Sequence, residues 1–198
     1  MVKFDPTYKV FVGPMFSSKT SRLLMELERY KHQHRAIECF KPRIDDRYSE
    51  EDIVSHSGWR TKAHCVKEGT DVLGILADVD VEPSVIAVDE AFMIPGVADV
   101  LTWLYKNGIS IVVSSLDLSS TGKSFKEIEH MMPFATYIEK CTAVCTVCGS
   151  DARYTHKKQV GGDEIEVGGH ELYEPRCGKC HPSIFNHELL LNKKHDAE

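Results

Sequence analysis

The apolar positions of the chain follow two different periods. Residues 9–12, 36–40 (AIECF), 63–66, 85–88 (VIAV) and 109–113 (ISIVV) are short runs rich in β-branched and aromatic side chains. A run with no polar position in it, such as VIAV, suits a strand of a parallel sheet covered on both faces. Between these runs the apolar residues recur every three or four positions. Leu23, Leu24, Leu27 and Tyr30 form one face of a helix over 18–32, with Arg22, Glu26, Glu28 and Lys31 on the water side. Val72, Ile75 and Leu76 share a face in a helix over 71–78, and residues 97–105 read as a helix stopped at Asn107-Gly108. A short helix over 125–132 ends at Pro133, and 136–138 is a last short strand. Strands alternating with helices predict an α/β fold with a mostly parallel sheet. Residues 1–7 read as a loose leader. Residues 41–57 (KPRIDDRYSEEDIVSHS) have no clear period and read as a long mobile loop.

At residue 142 the texture changes to paired cysteines, glycines and short alternating polar segments, a small metal-knuckled appendage that ends near 182. The expected organisation is therefore an α/β domain over 1–141, a metal-binding unit over 142–182 and a flexible tail over 183–198. The 42% hydrophobic and 27% charged content is ordinary for a chain with a real core. A net charge of -6 argues against a general nucleic-acid binder, but not against a local nucleotide site. No apolar run reaches the length of a membrane span and no secretory signal opens the chain. Four of the seven cysteines fall in C-x-x-C pairs, which in a reducing compartment are metal ligands rather than disulfides, so the expected location is the cytoplasm.

Strand, turn and helix meet in KVFVGPMFSSKT, residues 9–20. In a phosphate loop (G-x-x-x-x-G-K-[ST]) backbone N–H groups of the turn cradle phosphates, the lysine neutralises them and the next hydroxyl holds Mg²⁺. Gly13, Pro14, Met15, Phe16, Ser17, Ser18, Lys19 and Thr20 fit that frame, except that Ser18 stands at the second glycine. VIAV runs into Asp89-Glu90, as in phosphate-loop proteins whose second strand ends in an acid that helps hold Mg²⁺. A second GKS at 122–124 lacks the first loop glycine, Asp117 standing there, and no strand ending in an acid pair follows it. Cys145, Cys148, Cys177 and Cys180 suit a closed, structural Cys₄ zinc site, with His181 as an alternative fourth ligand. Cys39 and Cys65 have no such partners and read as core residues. Asp45-Asp46-Arg47 could assist Mg²⁺ and a transferring phosphoryl group, although composition alone makes it a solvated charge run. The ten histidines are scattered and read as surface or hydrogen-bonding residues.

Together these segments resemble the cytosolic-type thymidine kinases, which join a phosphate-loop core to a zinc-bearing lasso. GPMFSSKT resembles that family's loop, IDDRYS its D-x-R-Y-S segment, VSHSG the segment that follows, and VDEAFMIP its acid-pair segment. SSLDLSSTGKSF, TAVCTVCG, ARYT, GGHELYEPRC and CGKCH continue the likeness in the family's order, over roughly residues 9–182. The resemblance implies a phosphate-loop nucleotide-binding fold with a zinc-ribbon-like lasso. The implied reaction moves the γ-phosphoryl of ATP to the 5′-hydroxyl of thymidine, and of deoxyuridine. In it Lys19 and the loop backbone hold ATP phosphates, and Thr20 and Asp89, helped by Asp45, serve Mg²⁺. Glu90 accepts the hydroxyl proton, and Arg47 neutralises the transition state. Met15, Leu116, Phe125, Thr155 and Tyr173 surround thymine, and backbone groups of Val167, Gly168 and Gly169 read its polar edges. A homotetramer and feedback inhibition by thymidine triphosphate (dTTP) are also implied.

The chain departs from the family pattern at Ser18, at Phe92 in place of a glutamine, at Ser120 in place of an aromatic, and at Thr121-Gly122 where an arginine is usual, with Lys123 a partial substitute. These departures leave two other classes to weigh: a nucleotide-binding regulatory protein that has lost turnover, and a zinc-ribbon nucleic-acid-binding module.

Overall fold

The structure, a computed structural model, describes residues 5–45, 51–159 and 165–184. Six strands form the central sheet: β1 (Tyr8–Val12), β2 (Ile37–Pro42), β5 (His64–Val66), β6 (Val85–Val88), β7 (Ser110–Ser115) and β8 (Tyr137–Lys140). Their order is β5-β2-β6-β7-β1-β8, and every pair in it is parallel. All six strands therefore end on one edge of the sheet, and the loops that leave β1, β2, β6 and β7 gather there.

The unbroken apolar runs are explained by a core on both faces. Ile86 and Val88 join Val10, Val12, Phe40, Ile111 and Val113 in one cluster, covered by α2 (Gly69–Ala77), α3 (Val97–Lys106) and α4 (Lys126–Met131). Val85 and Ala87 point the other way, with Phe11, Cys39 and Val112, onto Leu23, Leu24, Leu27 and Tyr30 of α1 (Lys19–His32). The three leucines of α1 are each at most 4% exposed. At about 2 kcal/mol per buried leucine, that face binds α1 firmly to the sheet. The water side is less uniform than its sequence suggests, because Glu26 is half-buried and pairs with Lys9 at 2.6 Å.

The expected loop over 41–57 contains ordered structure. β2 runs on to Pro42, and β3 (Asp52–Val54) pairs antiparallel with β4 (Arg60–Lys62), with Ile53 in the core beneath α1. Of the two cysteines expected in the core, both outside the C-x-x-C pairs, Cys39 is 5% exposed and Cys65 only half-buried. The last sheet strand lies slightly later than expected, at Tyr137–Lys140, with Tyr137 and Ile138 exposed along its edge.

Beyond the sheet, β9 (Ala143–Val144) pairs with β10 (Asp151–Ala152), and β11 (Tyr154–Lys157) with β12 (Tyr173–Arg176), both antiparallel. The apolar cluster of this lobe is small: Ala143, Cys145, Ala152 and Cys177, with Cys180 against it.

Candidate active site

Gly13 ends β1 with φ +145°, and a Cβ there would lie 2.3 Å from the Cys141 carbonyl oxygen. Only glycine lets the chain turn against the end of β8 at this point. The Pro14 carbonyl then accepts two hydrogen bonds, from Ser17 Oγ at 2.7 Å and from Lys19 Nζ at 2.6 Å. Phe16 and Ser18 are both left-handed, with φ 64° and 60°. Backbone N–H groups around such residues converge and form an anion cradle. The loop opens directly into α1, whose first turn carries no acidic residue to oppose an anion. Lys19 is 7% exposed. Burial pushes its ammonium below the usual lysine range, while the carboxylates of Glu90 and Asp89 act in the other direction.

The acid pair sits at the end of β6, across β7 from the loop. Thr20 Oγ1 is 3.3 Å from both carboxylate oxygens of Asp89, and Ser114 Oγ donates to Asp89 Oδ1. Burial, with the Glu90 charge behind it, pushes Asp89 up to about 7, against the Ser114 hydrogen bond. Asp45, itself buried, faces the same small cavity together with Thr20, Lys41, Asp52, Asp89 and Glu90. A hydroxyl and several carboxylates are hard oxygen donors, the set that suits Mg²⁺. Glu90 is left-handed too, with φ 49°, so three of the four non-glycine residues with positive φ among the described residues lie at this one site. Strain gathered in one place in this way is characteristic of functional sites.

A second cavity opens on the other side of Glu90. Met15, Leu116, Phe125, Thr155, Gly168 and Tyr173, all expected around the base, line it. Val167 and Gly169 flank that lining without belonging to it. Phe92 and Ser120, two of the departures, line it as well, as do Met93, Ser119, Ile165 and Glu166. Phe92 packs on Phe125 with ring centroids 4.5 Å apart and adds an aromatic wall. Thr155 Oγ1 accepts the Met15 N–H at 3.0 Å, joining this wall to the phosphate loop. Tyr173 is fixed by donating its hydroxyl to the Glu166 carbonyl at 2.9 Å. The second GKS forms a tight turn in which Ser119 N donates to the Lys123 carbonyl at 2.8 Å, and no helix starts at its lysine.

The ligand atoms of Cys145, Cys148, Cys177 and Cys180 lie within 4.8 Å of one another, with Cys148 and Cys177 Sγ 3.6 Å apart. Sulfurs ~2.3 Å from a tetrahedral zinc stand about 3.8 Å from one another, so the tetrad fits the ion. Two C-x-x-C turns build it, with Gly149 N donating to the Cys145 carbonyl and Cys180 N to that of Cys177. Burial opposes the Cys145 thiolate, but the N–H groups of Cys177, Cys148 and Val147 outweigh it and bring that thiol down to about 6. Cys180, hydrogen-bonded to the thiols of Cys148 and Cys177, is pushed up to about 12. His181 stands outside the tetrad, buried, with Nε2 3.2 Å from the Thr155 carbonyl oxygen. It packs behind Thr155, outside the group of four sulfurs.

Arg47 lies outside the described residues, as does Asp46. Two site features were missed in the sequence because histidines carry no periodic signal. His56, at the tip of the β3–β4 hairpin, borders the cavity of the loop, and His170 stacks on Phe16 with centroids 3.6 Å apart. Among the described residues no helix is long and apolar enough to cross a membrane.

A parallel sheet whose first strand runs into an anion cradle, with an acid pair ending a second strand and a four-cysteine lobe beside them, defines an α/β phosphate-loop protein with a zinc-type appendage. The sequence profile of the family described as Thymidine kinase matches residues 7–181. A protein named Thymidine kinase from Bacteroides thetaiotaomicron is 33% identical over 174 residues, 87% of this chain and 85% of its own length. This chain belongs to the thymidine kinase family.

Proposed function

We propose that the protein transfers the γ-phosphoryl of ATP to the 5′-hydroxyl of thymidine, with deoxyuridine as a second acceptor. One placement carries this reading. Glu90 borders three cavities at once: that of the phosphate loop, that of the carboxylates, and that lined by Met15, Leu116, Phe125 and Tyr173. A carboxylate at that junction can reach both a nucleoside hydroxyl and a phosphoryl group held by the loop.

Each residue then has a defined task. The N–H groups of 13–20 and the Lys19 ammonium hold the triphosphate. Thr20 and Asp89, with Asp45 beside them, would hold Mg²⁺, which when bound neutralises charge on the phosphates. Glu90 accepts the proton of the 5′-hydroxyl as its oxygen attacks phosphorus. Phosphoryl transfer asks little else of a protein than alignment and charge compensation, and Arg47 is assigned the remaining compensation. Phe92, Phe125 and Leu116 exclude water around the base, Met15, Thr155 and Tyr173 complete the wall, and the backbone of 167–169 reads the polar edge. The cysteine tetrad holds a structural zinc. The family resemblance adds a cytoplasmic homotetramer inhibited by dTTP.

The test is a panel of nucleosides with ATP and Mg²⁺, scored for the 5′-monophosphate. Thymidine should give the fastest turnover. Glu90→Gln should lower the rate by roughly 10²–10⁴-fold with an unchanged melting curve, the range for a lost general base. Full activity in that variant removes Glu90 from the role.

A further inference from the structure

Three residues border both the phosphate-loop cavity and the carboxylate cavity: Thr20, Glu90 and His56. The first two have tasks in the proposed reaction. His56 has none so far, yet its position is closely built. Ser55, 3% exposed, anchors the hairpin tip: its N–H donates to the Trp59 carbonyl at 2.8 Å, and its Oγ accepts the Trp59 N–H at 3.1 Å and lies 2.9 Å from Ser57 Oγ. Gly58, with φ +84°, closes the turn by donating to the Ser55 carbonyl at 2.9 Å. Four residues thus order the hairpin tip on both sides of His56, which is itself exposed. The imidazole also leans on Phe16, centroids 5.6 Å apart at 46°, and Phe16 is stacked on His170. The left-handed backbone of Phe16 turns its ring toward these two histidines and away from the core.

The location fixes the chemistry. The loop cavity holds Lys19 and residues 15–21, which take the phosphate chain; the carboxylate cavity holds Asp89 and Asp45. Only the terminal phosphoryl group has to lie between the loop and Glu90, and that is where both cavities meet His56. We propose that His56 donates a ring N–H to an oxygen of the terminal phosphoryl group, and so makes the site select a nucleoside triphosphate over a diphosphate. This rests on the phosphoryl-transfer reading above. A hydrogen bond to a charged phosphate oxygen from a donor already held in place is worth a tenfold or larger change in affinity.

The experiment compares equilibrium binding of a non-hydrolysable ATP analogue, ADP and thymidine, with Mg²⁺, to the wild-type chain, His56→Ala and His56→Gln. In His56→Ala the ATP analogue should weaken about tenfold, while ADP and thymidine stay within about twofold. His56→Gln keeps an N–H donor and should recover part of the difference. Equal weakening of ATP analogue and ADP, or no weakening of either, overturns the proposal and leaves the transfer reaction intact. Loss of fold in both variants makes His56 a structural residue and overturns it as well. A wild-type chain that binds neither nucleotide fails the reaction itself, not the histidine alone.

Discussion

Ser18 holds φ 60° and ψ 26° immediately before α1, and its side chain makes no capping hydrogen bond there. A left-handed backbone costs a residue with a Cβ roughly 1 kcal/mol, which glycine avoids. The serine therefore keeps the shape of the cradle at a cost in stability and gains no cap in return. Ser18→Gly is expected to stabilise the chain by about 0.5–1 kcal/mol, a rise of about 1–4 °C in melting midpoint, and to bind nucleotide at least as tightly. A thermal melt with a parallel nucleotide titration reads both, and a fall in midpoint means that the serine is supported in a way the backbone angles do not reveal. Ser18 stood out in the sequence because it broke a pattern of known spacing. The left-handed Phe16 and Glu90 did not, since nothing in MFSS or VDEAF marks a positive φ. The need for Gly13 was legible only as part of a motif, because the carbonyl that would clash with a Cβ belongs to Cys141, far along the chain.

Elements were legible where burial was continuous. VIAV and ISIVV lie in the middle of the sheet, and both faces of each are covered, so their composition is decisive. The β3–β4 hairpin was not legible: each of its strands has three residues, and only Ile53 among them is buried, so pairing rather than hydrophobic pattern holds it. The strands of the cysteine lobe are two to four residues long and take their positions from the ligands. One joint between elements was also hidden. Helix α3 starts at Gly96, which has no side chain to cap it, and the carboxylate of Glu127 on α4 does so instead. Its Oε1 accepts the Gly96 N–H and its Oε2 the Ala98 N–H, each at 2.9 Å. Removing both acceptors leaves a helix start uncapped and unties α4 from α3. Glu127→Ala should destabilise the chain by about 1–2 kcal/mol in denaturant melts. Glu127→Gln, which keeps one acceptor, should lose less. Phosphoryl transfer measured well below the melting point should be unchanged in both, and a stability equal to wild type in Glu127→Ala would dismiss the cap.

At the scale of the whole molecule the two parts are held by different forces. Among the described residues, twenty and eleven buried side chains form the clusters on the two faces of the sheet, and four form that of the cysteine lobe. Four small side chains bury little apolar surface to offset the ordering of the lobe, and an ion on the tetrad would supply what they do not. Zinc binding supplies about 10–16 kcal/mol in comparable small sites, which is sufficient. The lobe in turn supplies Thr155, Gly168 and Tyr173 to the cavity proposed for the nucleoside, and through Thr155 it accepts the Met15 N–H of the loop after β1. Metal analysis should therefore find about one zinc per chain. Stripping it with a strong chelator should release amide protection across 143–159 and 165–181 while β1, β6 and β7 stay protected in hydrogen exchange. Thymidine binding should be lost outright. Nucleotide binding should only weaken, because Gly13 and Lys19 are held by the sheet, by the Cys141 carbonyl and by Pro14, and Met15 alone loses a partner. A metal-free chain that keeps both an ordered lobe and full thymidine affinity would show that no ion on the cysteines holds the lobe. Loss of protection in the lobe and in all three strands at once would show instead that the lobe and the sheet unfold as one unit, and that the ion stabilises the whole chain.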